Sequence, residues 1–102
     1  MSLRATLYLD RDKHRADKVP GSVWFTDAKR DRVASMWFYC PCGCGLLQRI
    51  TVGVEHKPDT TPSWKWDGNE ENPTLRPSVN IRANDICPGW HGWLRGGYWE
   101  VC

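Results

Sequence analysis

Apolar and polar residues alternate with period two along most of the chain. Leu3, Ala5, Leu7 and Leu9 alternate with Arg4, Thr6, Tyr8 and Asp10. Successive side chains of a strand point to opposite faces, so this pattern predicts a strand with one buried face. Ser22 to Thr26, opened by the turn pair Pro20-Gly21, is a second short candidate. The aromatic run Met36 to Tyr39 leads directly into a cysteine. Ile50, Val52 and Val54 alternate with Thr51, Gly53 and Glu55, and Val79, Ile81 and Ala83 with Ser78, Asn80 and Arg82. Trp93-Leu94-Arg95 and Tyr98-Trp99-Glu100 flank Gly96-Gly97, the spacing of a tight hairpin.

Helical signals are weak. Asp10 to Lys18 is almost wholly polar and offers no apolar stripe, so a single surface turn is the most it predicts. Ala28 to Ala34 has the same defect. Residues 56 to 77 carry Pro58, Pro62, Pro73 and Pro77, an irregular connection interrupted by a short strand around Trp64 and Trp66. The fold class expected is mostly β: one small antiparallel sheet or sandwich-like domain over residues 1–102, with little helix.

Composition sharpens this. A chain of 102 residues holds one domain, and at that size a cross-link helps it fold. Seven Trp supply much of the apolar area. Fourteen basic against twelve acidic residues leave a net charge of only +2, which neither demands nor excludes a polyanionic partner. The segment Leu3–Leu9, broken by Arg4 and Thr6, is no secretory signal, and no run approaches the ~18 apolar residues of a membrane span. The expectation is a cytoplasmic protein. Five Cys is an odd count, which argues for metal ligation rather than a full disulfide framework.

The chemistry concentrates in two Pro/Gly turns. The first is Cys40-Pro41-Cys42-Gly43-Cys44-Gly45; the second is Cys87-Pro88-Gly89-Trp90-His91-Gly92. Glycine permits the left-handed angles of a tight knuckle and proline fixes its approach, so each turn can present ligands to one ion. Each precedes a candidate strand, which would bring the turns together as a tetrahedral structural zinc site. Cys42, Cys87 and His91 are the firmest expected ligands, with Cys40 and Cys44 competing for the fourth place. Cys102 reads as a bystander at a fraying terminus. The other histidines, His14 and His56, sit in polar or Pro-rich surroundings and show no ligand spacing; His56 reads as a solvent-exposed loop residue rather than a general base.

These motifs carry a resemblance. The order of Pro20-Gly21-Ser22-Val23, the cysteine knuckle, Pro73-Thr74-Leu75-Arg76-Pro77-Ser78-Val79, Cys87 and His91, then Gly92-Trp93-Leu94-Arg95-Gly96-Gly97 resembles a family of small phage, prophage and mobile-element proteins. Its members often carry a transferred ammonia monooxygenase label, which no residue here supports. The resemblance spans about residues 20 to 101 and implies a compact zinc-binding β domain. Some relatives sit beside bacterial ubiquitin-like conjugation genes, which implies an accessory or ligase-like role.

Two further features have a functional and a plain reading. Arg76, Ser78 and Arg82, with Trp64 and Trp66, could form a ledge that binds an anion or carboxylate beside the metal; the plainer reading is a Pro-guarded edge strand. Trp64, Trp66, Trp90, Trp93 and Trp99 could be a platform for bases or a peptide, but such residues more often pack a small sheet. The leading functional expectation is a zinc-stabilised interaction module that binds a host or mobile-element protein. The alternatives are a zinc- or thiol-dependent enzyme, such as a hydrolase or conjugation accessory, and a nucleic-acid-binding protein.

Overall fold

The computed structural model describes residues 2–27 and 30–101. Among these residues, nine strands and one helix follow in the order β1 (Ser2–Arg4), α1 (Arg11–Asp17), β2 (Val23–Phe25), β3 (Val33–Tyr39), β4 (Leu47–Val54), β5 (Trp64–Trp66), β6 (Leu75–Arg76), β7 (Val79–Ile81), β8 (Trp90–Arg95) and β9 (Tyr98–Val101). They build two sheets. One has four antiparallel strands in the order β1-β9-β8-β7; the other has five in the order β2-β3-β4-β5-β6. The protein is mostly β, as the alternation predicts, although β4 and β5 pair in parallel, so the second sheet is mixed.

Inward residues of both sheets meet in one core: Val23, Met36, Phe38 and Val52 from the five-stranded sheet, Val79, Leu94 and Trp99 from the other. Aromatic rings fix the packing. Phe38 lies 5.0 Å from Trp99 of the other layer, ring centre to ring centre, and within the five-stranded sheet Phe25 stacks on Trp66 at 4.4 Å. The Trp99 indole N–H, sealed inside, donates to the Gly21 carbonyl at 2.8 Å and so avoids the cost of a buried unpaired donor.

Two expectations need correction. The predicted first strand ends early: after Arg4 the chain leaves the ladder, Leu7 makes one parallel bridge to Val23, and Leu9 is 82% exposed. The polar segment that follows is more than a surface turn. It forms α1, capped by the Asp10 carboxylate, which accepts from the Asp12 N–H, and ended by Lys18 in the left-handed region. The helix has no apolar stripe, and its buried side chain is His14. That ring is 1% exposed, packs between Tyr8 and Tyr39, and contacts the Ser22 carbonyl through Nε2.

Burial lowers the His14 pKa, partly opposed by the Ser22 hydrogen bond and reinforced by nearby Arg15. The unfolded chain therefore takes up this proton first as pH falls. The stability contributed by neutral His14 is complete above the ordinary value of 6.5 and is lost as pH drops below it. His14→Gln should flatten that part of the profile. Urea midpoints measured for both proteins between pH 7 and 5 check this: parallel curves would rule the contribution out.

Gly92, on β8, is needed for space. A Cβ there would collide with the Glu100 carbonyl oxygen of β9 and reach 2.6 Å from the Trp90 ring. A ladder backbone cannot yield to it, so Gly92→Ala should cost about 3 kcal/mol, read as a drop in the urea midpoint.

Candidate functional site: a cysteine cluster and a serine–histidine pair

The first knuckle begins where β3 ends. Cys40 N–H donates to the Leu46 carbonyl at 3.0 Å, and Gly43 N–H to the Cys40 carbonyl at 3.1 Å, closing the turn around the sulfurs. Gly43 and Gly45 take φ of 89° and 83°, which only glycine adopts without strain. The second knuckle is organised by Asn84, whose side-chain oxygen accepts from the Ile86 and Cys87 N–H groups at 2.8 and 2.7 Å. The Gly89 N–H then points at the Cys87 sulfur, 3.4 Å away.

These turns gather four thiols. The sulfurs of Cys40, Cys42, Cys44 and Cys87 all lie within 4.8 Å of one another. Three separations are 3.1 Å (Cys40–Cys42), 3.7 Å (Cys40–Cys87) and 3.5 Å (Cys42–Cys87). An ion bonded tetrahedrally at about 2.3 Å holds its sulfurs about 3.8 Å apart, so the donor set fits a single ion with four thiolates. Cys40 and Cys87 are buried, while Cys42 and Cys44 sit nearer the surface. Burial pushes the Cys40 and Cys44 thiols up. Burial also opposes ionisation of Cys42, but hydrogen bonds from Cys40, Cys44 and Cys87 outweigh it and draw that thiol down. Cys42 is thus the focus of the cluster's donors.

The expected contest between Cys40 and Cys44 does not arise, since both join the group. His91, expected as a ligand, lies outside it. The reason is strand alternation: Gly92 and Leu94 of β8 face the core, so His91, Trp93 and Arg95 point the other way. There the His91 Nε2 meets the Ser78 hydroxyl at 3.0 Å. Ser78 stands between β6 and β7, and its carbonyl accepts the Trp64 indole N–H at 3.1 Å. With the imidazole proton on Nδ1, Ser78 Oγ–H donates to Nε2, the arrangement by which a histidine base activates a serine nucleophile.

The chain matches, over residues 8–102, the family described as bacterial ubiquitination-like system serine protease (BubE). It belongs to the BubE family. No curated protein and no solved structure gives a significant match. The family description names a serine protease, and among the described residues Ser78 with His91 is the hydrogen bond between a serine hydroxyl and a histidine ring. The placement also fits the ubiquitin-like conjugation setting implied by the resemblance drawn from the motifs.

The other expected site residues disperse. Arg76 is exposed on β6, and Arg82 is exposed beyond the end of β7. Trp66 is core and Trp64 half-buried, holding Ser78 rather than offering a stacking face. Of the five Trp considered as a platform, Trp66 and Trp99 are buried in the core, and Trp64, Trp90 and Trp93 are half-buried. His56 is exposed, with Nδ1 at 3.1 Å from the Val54 carbonyl. Cys102 lies outside the described residues. No helix among them is long and apolar enough to cross a membrane.

Proposed function

We propose that this BubE-family chain is a serine hydrolase that cleaves a peptide or peptide-like acyl bond in a protein of a ubiquitin-like conjugation system, around a structural zinc. The observation that carries the reading is the 3.0 Å contact between Ser78 Oγ and His91 Nε2 on an accessible face. In the reaction, Ser78 Oγ attacks the carbonyl carbon while its proton passes to His91 Nε2. His91 then delivers that proton to the leaving nitrogen as the C–N bond breaks, leaving an acyl group on Ser78. Water, deprotonated by the same nitrogen, releases the acyl group and restores the hydroxyl.

Glu100 is our candidate to orient the imidazole. Trp93 pairs with Glu100 across β8 and β9, so Glu100 shares the outward face with His91 and sits one step diagonal to it, within reach of a long side chain. Zinc held by Cys40, Cys42, Cys44 and Cys87 would supply a cross-link rather than a reacting centre, because four thiolates close a tetrahedral shell. The chain from Cys87 runs directly into β8, so that cross-link sets where His91 stands. The test is labelling with an alkyl fluorophosphonate followed by peptide mapping. The modified residue should be Ser78; an unlabelled protein that is folded and zinc-loaded would refute the hydrolase reading.

A further inference from the structure

Beside the serine–histidine pair lies a hollow of about 340 Å³, lined by Thr74, Leu75, Arg76, Trp93 and Arg95. That is the small end of the range for ligand sites. It forms where β6 of one sheet packs on β8 of the other. The tip of the β8–β9 hairpin is tied there: the Gly96 N–H donates to Thr74 Oγ1 at 2.8 Å, and the Gly97 N–H to the Pro73 carbonyl at 2.9 Å. Leu75 is fully buried and makes an apolar floor.

The hollow adjoins the reacting pair. Val79 pairs with Gly92, so the next position along puts Ser78 opposite Trp93, and Arg76 lies two residues before Ser78. Its walls carry two cations. Arg95 lies over the Trp93 ring at 4.4 Å, which fixes the plane of its guanidinium, and its contact with Glu100 is long, 3.9 Å. Arg76 makes no ion pair among the described residues, even though Glu55 and Asp67 line the neighbouring hollow it also borders. Two guanidiniums over an apolar floor, with no carboxylate lining the hollow, form a receptor for one planar anion.

We infer that this hollow is a specificity subsite that takes a carboxylate of the peptide substrate, held by Arg76 and Arg95 next to the bond presented to Ser78. The inference rests on the hydrolase reading for its role, but the recognition can be measured without cleavage. Ser78→Ala protein, labelled with ¹⁵N, is titrated with acetyl-Ala-Glu-Ala-amide, with acetyl-Ala-Gln-Ala-amide, and with acetyl-Ala-Ala-Ala bearing a free C-terminus. The Trp93 indole and the Arg76 and Arg95 Nε–H resonances are followed. At least one acid should shift them with an affinity about tenfold above the Gln peptide. Whichever acid does so identifies the source as a side chain or a chain terminus.

Arg76→Ala should abolish that preference, bringing the acid and the Gln peptides to equal affinity. Equal response to all three peptides would overturn the subsite whatever the outcome of labelling. Labelling failure with an intact acid preference would overturn the hydrolase reading and the subsite's catalytic role, leaving a carboxylate-binding site.

Discussion

Stripping the zinc proposed for the cysteine cluster is expected to unfold the domain. Of the hydrophobic residues in the core, Cys40 and Cys87 are held by the two knuckles, and both are fully buried. Without an ion, four thiols converge with only weak S–H contacts among them. Structural zinc in small domains contributes about 10–16 kcal/mol on binding, against a typical total stability of about 5–15 kcal/mol. A cross-link of that size would match or exceed the whole net stability of such a domain. A strong chelator, or Cys40→Ser or Cys87→Ser, should abolish the cooperative thermal transition. Metal analysis of the native protein should find one zinc per chain. Retention of a sharp transition in verified metal-free protein would show that the cysteines are not the staple proposed. His91→Ala discriminates between ligand sets: with four thiolates as the shell, it should leave zinc content at one per chain.

The second large effect is on chemistry rather than stability. Ser78 is only half-buried and its carbonyl, not its hydroxyl, is held by Trp64. Ser78→Ala should therefore fold normally and melt within about 0.5 kcal/mol of the parent, as surface substitutions do. Its hydrolysis of a sensitive ester should fall by at least about 10⁴-fold, and His91→Gln should do nearly as much damage, because nucleophile and base act as a unit. The double variant should be little worse than either single one. Independent, multiplicative losses would show that the two residues do not share one proton transfer, and the mechanism would have to be abandoned. Ester turnover at matched zinc content, with far-ultraviolet circular dichroism as the folding control, decides it.

Strands were the most legible part of the sequence because period-two alternation is local. The strand over Leu47–Val54 and the β7 strand follow from it, while the turn pairs Pro20-Gly21 and Gly96-Gly97 mark β2 and the C-terminal hairpin. What alternation could not convey is how a strand's neighbours are chosen. The stretch from Leu75 to Ile81 reads as one edge strand with a proline guard, yet its two ends join different sheets. Helix α1 escaped for a physical reason: one buried histidine does the work that an apolar stripe usually does.

The site divides in the same way. Pro and Gly placement exposed both knuckles, and the cysteines they carry do come together. His91 was harder to place. At three residues from Cys87 it has ligand-like spacing, but alternation along β8 turns it to the opposite face from the core. Ser78 is thirteen residues away in sequence and carries no motif of its own, so only the β7–β8 register reveals that the two meet.

That meeting place has a mechanical meaning. Ser78 is tethered through its carbonyl to Trp64 of the five-stranded sheet, while its hydroxyl is aligned on His91 of the four-stranded one. A slip of one layer on the other is therefore expected to disturb the 3.0 Å contact through the Trp64 tether before either layer melts. Turnover should fade at lower urea than secondary structure does, and substitutions at the Phe38–Trp99 contact should slow the enzyme from a distance.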